Sequence, residues 1–151
     1  MADISLEKTL PNNLEAERSI LGAILLDDKA VLSVFEILKS QDFYLESHRR
    51  VFDKMLQLMN ASRPIDIVTL KDELQRASEL ESVGGAAYLA SLTDGLPRAM
   101  NIEHYARIVK QKSTLRRLIQ VSSETMARSY QDEDSAEEVL QQAEKAIFDI
   151  A

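Results

Sequence analysis

From Asn101 to Tyr130 the chain contains neither glycine nor proline, and no other feature restricts the fold as much. Within that stretch Tyr105, Ile108, Val109, Leu115, Ile119 and Met126 form an apolar stripe at helical spacing, widened by Leu118 and Val121, which predicts one long helix. At the helical rise it reaches about 45 Å, against a radius of gyration of about 13 Å for a compact domain of about 100 residues. The polar run QDEDS (131–135) ends it. Ser135 and Glu138 then have the spacing of a capping box, and Ala136, Val139, Leu140, Ala143, Ile147 and Ile150 share one face of a closing helix. A short turn between two helices makes them antiparallel neighbours. The long helix's stripe is wider than one partner helix covers, so part of it is expected to meet another subunit or another protein. The plainer alternative folds the hairpin back onto the rest of its own chain.

The residues before this stretch read as shorter helices. Pro11, Pro64 and Pro97 each lie shortly before a helical pattern, as suits a residue that starts helices better than it continues them. The first helix is predicted over Leu14–Leu26, with Asn13 as N-cap and Glu15 and Glu17 in the turn where the helix dipole favours negative charge. Asp27 and Asp28 break it, and Asp28 offers a cap for a second helix over Lys29–Leu38. QDFYLES (41–47) is a connector whose two aromatics plug the core. A third helix ends near Met59, with Val51, Phe52, Met55, Leu56 and Met59 in period. Asp66 followed by IVTLKDELQR reads as cap plus helix, Ser78–Val83 as a polar loop, and Gly85–Thr93 as a short helix. The fold class is therefore all-α: a small globular helical bundle over residues 1–98, followed by a long antiparallel helical hairpin over 99–151.

Composition narrows the function. The absence of cysteine removes disulfides, thiol chemistry and Cys-based zinc sites, and fits a cytosolic protein. No apolar run is long enough to span a bilayer, and the acid-bearing N-terminus is unlike a signal peptide. A net charge of −7 argues against a chain that grips DNA unaided, because such affinity rests on neutralising phosphates with Lys and Arg. A partner protein or self-association is the better expectation.

Candidate chemistry is sparse. Gly84-Gly85 before a helix could cradle phosphate. However, there is no Gly-Lys for a Walker A loop, no Gly-x-Gly-x-x-Gly, and no Lys or Arg between Arg76 and Arg98. A tight turn that starts the helix against its neighbours is the reading kept. His48 and His104 lie in different segments without metal-binding spacing and read as surface or helix-packing histidines. Asp27-Asp28 reads as capping rather than as paired catalytic acids, and nothing marks any serine as a nucleophile. The run Arg107, Lys110, Lys112, Arg116 and Arg117 either contacts an acidic partner or nucleic acid, or is a solvated helix back that pairs with neighbouring acids.

Five blocks, PNNLEAERSILGAILLD (11–27), DFYLESHRRVFDKMLQL (42–58), PIDIVTLKDEL (64–74), VGGAAYLASL (83–92) and NIEHYARIVKQKSTLRRLI (101–119), occur in an order and spacing that resembles the N-terminal domain of the bacterial replicative DNA helicase DnaB. The resemblance extends over about Pro11 to Ile150. It implies an all-helical domain that pairs through its hairpin and assembles as a trimer of dimers, a collar on a hexameric ring. It further implies primase as a partner and a helicase loader as another. ATP, Mg and the DNA contacts are implied to belong to a C-terminal ATPase domain that this sequence does not include, so the chain itself is expected neither to hydrolyse ATP nor to unwind DNA. The implied setting is the bacterial cytoplasm, at nucleoid-associated replication forks. Dimer contacts are expected from Leu115, Leu118, Ile119, Val139, Leu140, Ala143 and Ile147, and primase contacts from Glu15, Tyr88 and Ile119, with Tyr88 equally able to be core. The alternatives are a stand-alone helical adaptor or helicase regulator with no ATPase, discriminated by a Walker A motif encoded downstream, and a helical enzyme, which predicts a pocket of clustered acids.

Overall fold

The computed structural model of the protein describes residues 9–97 and 100–151. Among the described residues there are seven α-helices and no strand. The first, α1, runs Leu14–Leu26. Asn13 is its N-cap, with its side chain accepting the Ala16 N–H at 2.9 Å, and Ile20, Leu21 and Ile24 are buried along one face. Helix α2 covers Ala30–Ile37 and buries Val31 and Val34. It starts one residue later than expected and without the Asp28 cap. The Asp28 carboxylate instead accepts the Ile65 N–H at 3.4 Å, while Asp27 accepts the Lys29 N–H at 3.1 Å. Asp28 is drawn to a backbone donor far along the chain, and α2 begins with no side-chain cap.

A single 3-10 turn, Ser40–Asp42, leads into Phe43, which is fully buried and lies 4.8 Å from the Phe52 ring; Phe35 meets Phe52 edge-on at 5.0 Å. Of the two connector aromatics Phe43 plugs the core, while Tyr44 stays half-buried. Helix α3, Glu46–Asn60, buries His48, Val51, Phe52, Met55 and Leu58. Helix α4, Ile67–Arg76, opens on a reciprocal cap: Asp66 accepts the Thr69 N–H at 2.8 Å and Thr69 Oγ1 accepts the Asp66 N–H at 3.0 Å. The polar loop expected at 78–83 contains a second 3-10 turn, Glu81–Val83, because Val83 is drawn into the core. Helix α5 is Gly85–Ser91, two residues shorter than expected. Its C-terminal end packs tightly on α1: a Cβ on Gly22 would stand 2.0 Å from the Leu92 carbonyl oxygen, so only glycine permits that approach.

Helix α6 is continuous over Ile102–Gln131, and α7 covers Ala136–Ile150, with Ser135 accepting the Glu138 N–H at 3.2 Å. The residues fall into two compact units, Asn12–Lys110 and Gln111–Ala151, the latter joined by residues 9–11. The boundary expected at 98/99 and the N-terminal segment 1–8 lie outside the described residues. In the larger unit the core is built from α1 to α5 and the start of α6, where Ala106 and Val109 are buried. In the smaller unit α7 buries none of its residues.

Candidate protein-interaction surface

In the larger unit, the first turn of α1 carries two acids with opposite fates. Glu15 is exposed, whereas Glu17 keeps only 1% of its surface. Glu17 falls on the apolar face, at i relative to Ile20, Leu21 and Ile24 at i+3, i+4 and i+7. His48 takes the same place on α3 relative to Val51, Phe52 and Met55, and is fully buried. The two inward faces bring these residues together: His48 Nδ1 donates to Glu17 Oε1 at 2.8 Å, and Glu17 Oε2 accepts the Tyr44 N–H at 2.8 Å. The other ring nitrogen, Nε2, meets the Tyr88 hydroxyl at 2.6 Å, with the two rings nearly parallel and 6.1 Å apart. No buried side-chain polar atom among the described residues lacks a partner. His48 is thus a helix-packing histidine, as the sequence suggests, but with a polar task on each nitrogen.

Tyr88 is the outer end of this chain of bonds and remains half-exposed, so it is neither plain core nor plain surface. The Arg18 guanidinium lies 5.9 Å from its ring centroid, close enough for cation–π attraction. Burial pushes the phenol above its ordinary value of 10.0; the Arg18 cation pulls it back and the Glu17 carboxylate adds to the rise. Glu15 precedes Arg18 by three residues on α1 and so shares its face. Beside them Leu14, Glu15, Arg18, Leu92, Asp94 and Leu96 line a groove of about 440 Å³. The Gly84-Gly85 pair is a turn: φ is +111° and +77° at the two residues, in the left-handed region that favours glycine. Glu15 and Tyr88 therefore belong to one unit and Ile119 to the other.

In the smaller unit the α6 side chains Leu115, Leu118, Ile119 and Met126 are exposed, as are Leu140 and Ile147 on α7. Val139 and Ala143 are half-buried, facing a cleft of about 310 Å³ that Thr125, Arg128 and Ser129 close from α6; Arg128 donates to Gln142 across it. Sequence periodicity did not single out Phe148, which is 78% exposed on the otherwise polar side of α7, or Tyr130, 83% exposed at the end of α6. Phe148 lies off the stripe that periodicity detects on α7, whereas Tyr130 continues the α6 stripe, four residues beyond Met126.

Lys110, Arg107 and Arg116 of the basic run on α6 have partners within their own chain. Lys110 lies 3.3 Å from the buried Asp42 carboxylate, Arg107 pairs with Glu103 at 3.7 Å, and Arg116 donates to the Pro11 carbonyl at 2.8 Å. His104 is exposed on α6. Among the described residues no cluster of three His, Asp or Glu side chains could hold a metal ion, and no helix is long and apolar enough to cross a membrane.

An all-α bundle followed by a hairpin with apolar side chains in the open on both helices defines a helical domain with an uncovered apolar surface. The chain belongs to the DnaB-like helicase N terminal domain family, whose sequence profile matches residues 9–111. It is 38% identical over its full length to the replicative DNA helicase DnaB of Geobacillus stearothermophilus, of which it covers 33%. The chain thus spans about one third of the length of the curated relatives it matches. The crystal structure of the N-terminal domain of DnaB helicase from Mycobacterium tuberculosis matches it with a TM-score of 0.88 and 37% identity, over 93% of this chain and 99% of that one. The N-terminal domain of DnaB helicase from Helicobacter pylori, described with its interactions with primase, shares the fold with a TM-score of 0.66 and 21% identity, over 77% of this chain and 90% of that one.

Proposed function

We propose that this chain is the oligomerisation and primase-docking domain of a replicative DNA helicase. The observation that carries the reading is the set of apolar side chains left in water on the hairpin of a domain from this family. Leu115, Leu118 and Ile119 on α6 and Leu140 and Ile147 on α7 are all exposed, and burying a side chain of that kind fully contributes about 1.5–3 kcal/mol. A second copy of the same hairpin supplies a matching face, because a two-fold interface sets one patch against itself. Val139 and Ala143, half-buried at the cleft, complete the dimer contact. Residues 99–151 act as the pairing element and residues 1–98 as the globular subdomain. In the whole protein three such dimers form the collar of a hexamer.

Primase docks on Glu15 and Tyr88 of the globular part and on Ile119 of the hairpin, and a helicase loader is a further partner. ATP, Mg and DNA are handled by the C-terminal ATPase domain of the full-length helicase, which works in the bacterial cytoplasm at nucleoid-associated replication forks.

Sedimentation equilibrium of the purified chain tests the reading: dimers or higher even multiples are expected at micromolar concentration. Ile119→Asp, present twice in each dimer, weakens association about 100-fold or more with helicity intact. A chain that remains a 17.0 kDa monomer at high micromolar concentration overturns it.

A further inference from the structure

Four residues from three parts of the fold act on one side chain. His48 Nε2 holds the Tyr88 hydroxyl at 2.6 Å, Glu17 holds the far side of the His48 ring at 2.8 Å, and Arg18 lies 5.9 Å from the Tyr88 ring centroid. Gly84 makes the room: a Cβ there would stand 2.8 Å from Tyr88 Cβ and 3.0 Å from Cγ. A buried carboxylate–imidazole pair is a poor way merely to fill a core, since well-packed apolar side chains of similar volume are often as stable or more so. Glu17 and His48 occupy places where the helical pattern would take leucine. A directional pair does what leucine cannot: it fixes one atom, the Tyr88 oxygen, and with it the angle of a ring whose outer part is in solvent.

We infer that His48 is a positioning residue for docking: with its tautomer fixed by Glu17, it holds the Tyr88 ring preset beside Arg18 and Glu15, so that a partner protein meets an already ordered aromatic anchor. This rests on the reading of Tyr88 as a primase-docking residue. A ring fixed in advance spares the partner the cost of immobilising it, an advantage of about 2- to 10-fold in affinity.

Two substitutions at His48 separate the halves of the relay. Glutamine carries its amide at about the reach of Nε2 and can still meet the Tyr88 hydroxyl; asparagine carries it at about the reach of Nδ1 and can meet only Glu17. Binding of purified primase to the whole chain is measured by calorimetry, with far-ultraviolet circular dichroism to check helicity. His48→Asn is expected to bind primase about 2- to 10-fold more weakly and His48→Gln to stay near the wild-type value. The near-ultraviolet tyrosine signal, free of tryptophan in this chain, changes in the asparagine variant and is retained in the glutamine variant. Tyr88→Phe, which removes only the hydroxyl, is expected to fall with His48→Asn and serves if that variant folds poorly. Equal primase affinity in His48→Asn and His48→Gln overturns the inference. If Tyr88→Ala weakens binding while His48→Asn does not, the positioning role alone falls. If Tyr88→Ala leaves binding unchanged, the docking reading falls and the inference with it.

Discussion

Replacing His48 by leucine keeps the volume of the site apolar but strands the Glu17 carboxylate. That carboxylate is 1% exposed and would retain only the Tyr44 N–H, at 2.8 Å, as a partner. Removing one member of a buried pair costs about 3–5 kcal/mol, because a charge is left in a poorly solvated place. The Tyr88 hydroxyl, at the half-exposed end, can turn to water and adds little. The reverse change, Glu17→Leu, leaves the Tyr44 N–H and His48 Nδ1 without an acceptor, at about 1–3 kcal/mol each. In the double variant Glu17→Leu/His48→Leu the charge and the imidazole are both gone, and the orphaned Tyr44 N–H remains, at about 1–3 kcal/mol. The double variant is therefore more stable than His48→Leu alone by about 2 kcal/mol. Urea denaturation followed by circular dichroism measures all four corners of the cycle. For a chain of this size His48→Leu corresponds to a fall in Tm of about 10 °C. A His48→Leu loss below about 1 kcal/mol, or single losses that simply add in the double variant, would refute the reasoning.

Three further outcomes follow from other parts of the molecule. Tyr88 ionises later than its ordinary value of 10.0, so a spectrophotometric titration shows a late phenol component that Tyr88→Phe removes. The folded state holds that proton more tightly, so the associated stability is complete below pH 10 and is lost as pH rises through the raised folded value. Gly22→Ala sets a methyl carbon against the Leu92 carbonyl oxygen and forces α1 and the end of α5 apart; the expected loss is about 2 kcal/mol, read as a lower midpoint in urea. Asp66→Ala removes the acceptor that caps α4 and costs about 1 kcal/mol by the same assay, while Asp66→Asn retains most of it.

Much of the fold was legible because it is governed by neighbours in sequence. Asn13, Asp66 and Ser135 each accept a backbone N–H three residues along, in the helix they open, and each marks its start as a sequence pattern predicts. Asp28 misled for the opposite reason: its partner, the Ile65 N–H, lies 37 residues away, and no local preference reports that. The candidate surface divides in the same way. Leu115, Ile119, Leu140 and Ile147 could be chosen from helical period alone. Glu17 looked like an ordinary first-turn acid and His48 like an ordinary packing histidine, although both sit on apolar faces. A titratable residue in the place of a core leucine was the available signal.

The sequence by itself determined the helices, their caps and breaks, the all-α class and the family, since short-range hydrogen bonding and a 3.6-residue period leave direct marks in the order of residues. Only the tertiary structure decided which of two first-turn glutamates is buried, that His48 bridges residues 31 and 40 positions away, and that Tyr88 is held from behind while its ring faces water. Those outcomes depend on how the inward faces of α1, α3 and α5 meet, and burial, which sets the cost of every polar group there, is a property of the packed helices together.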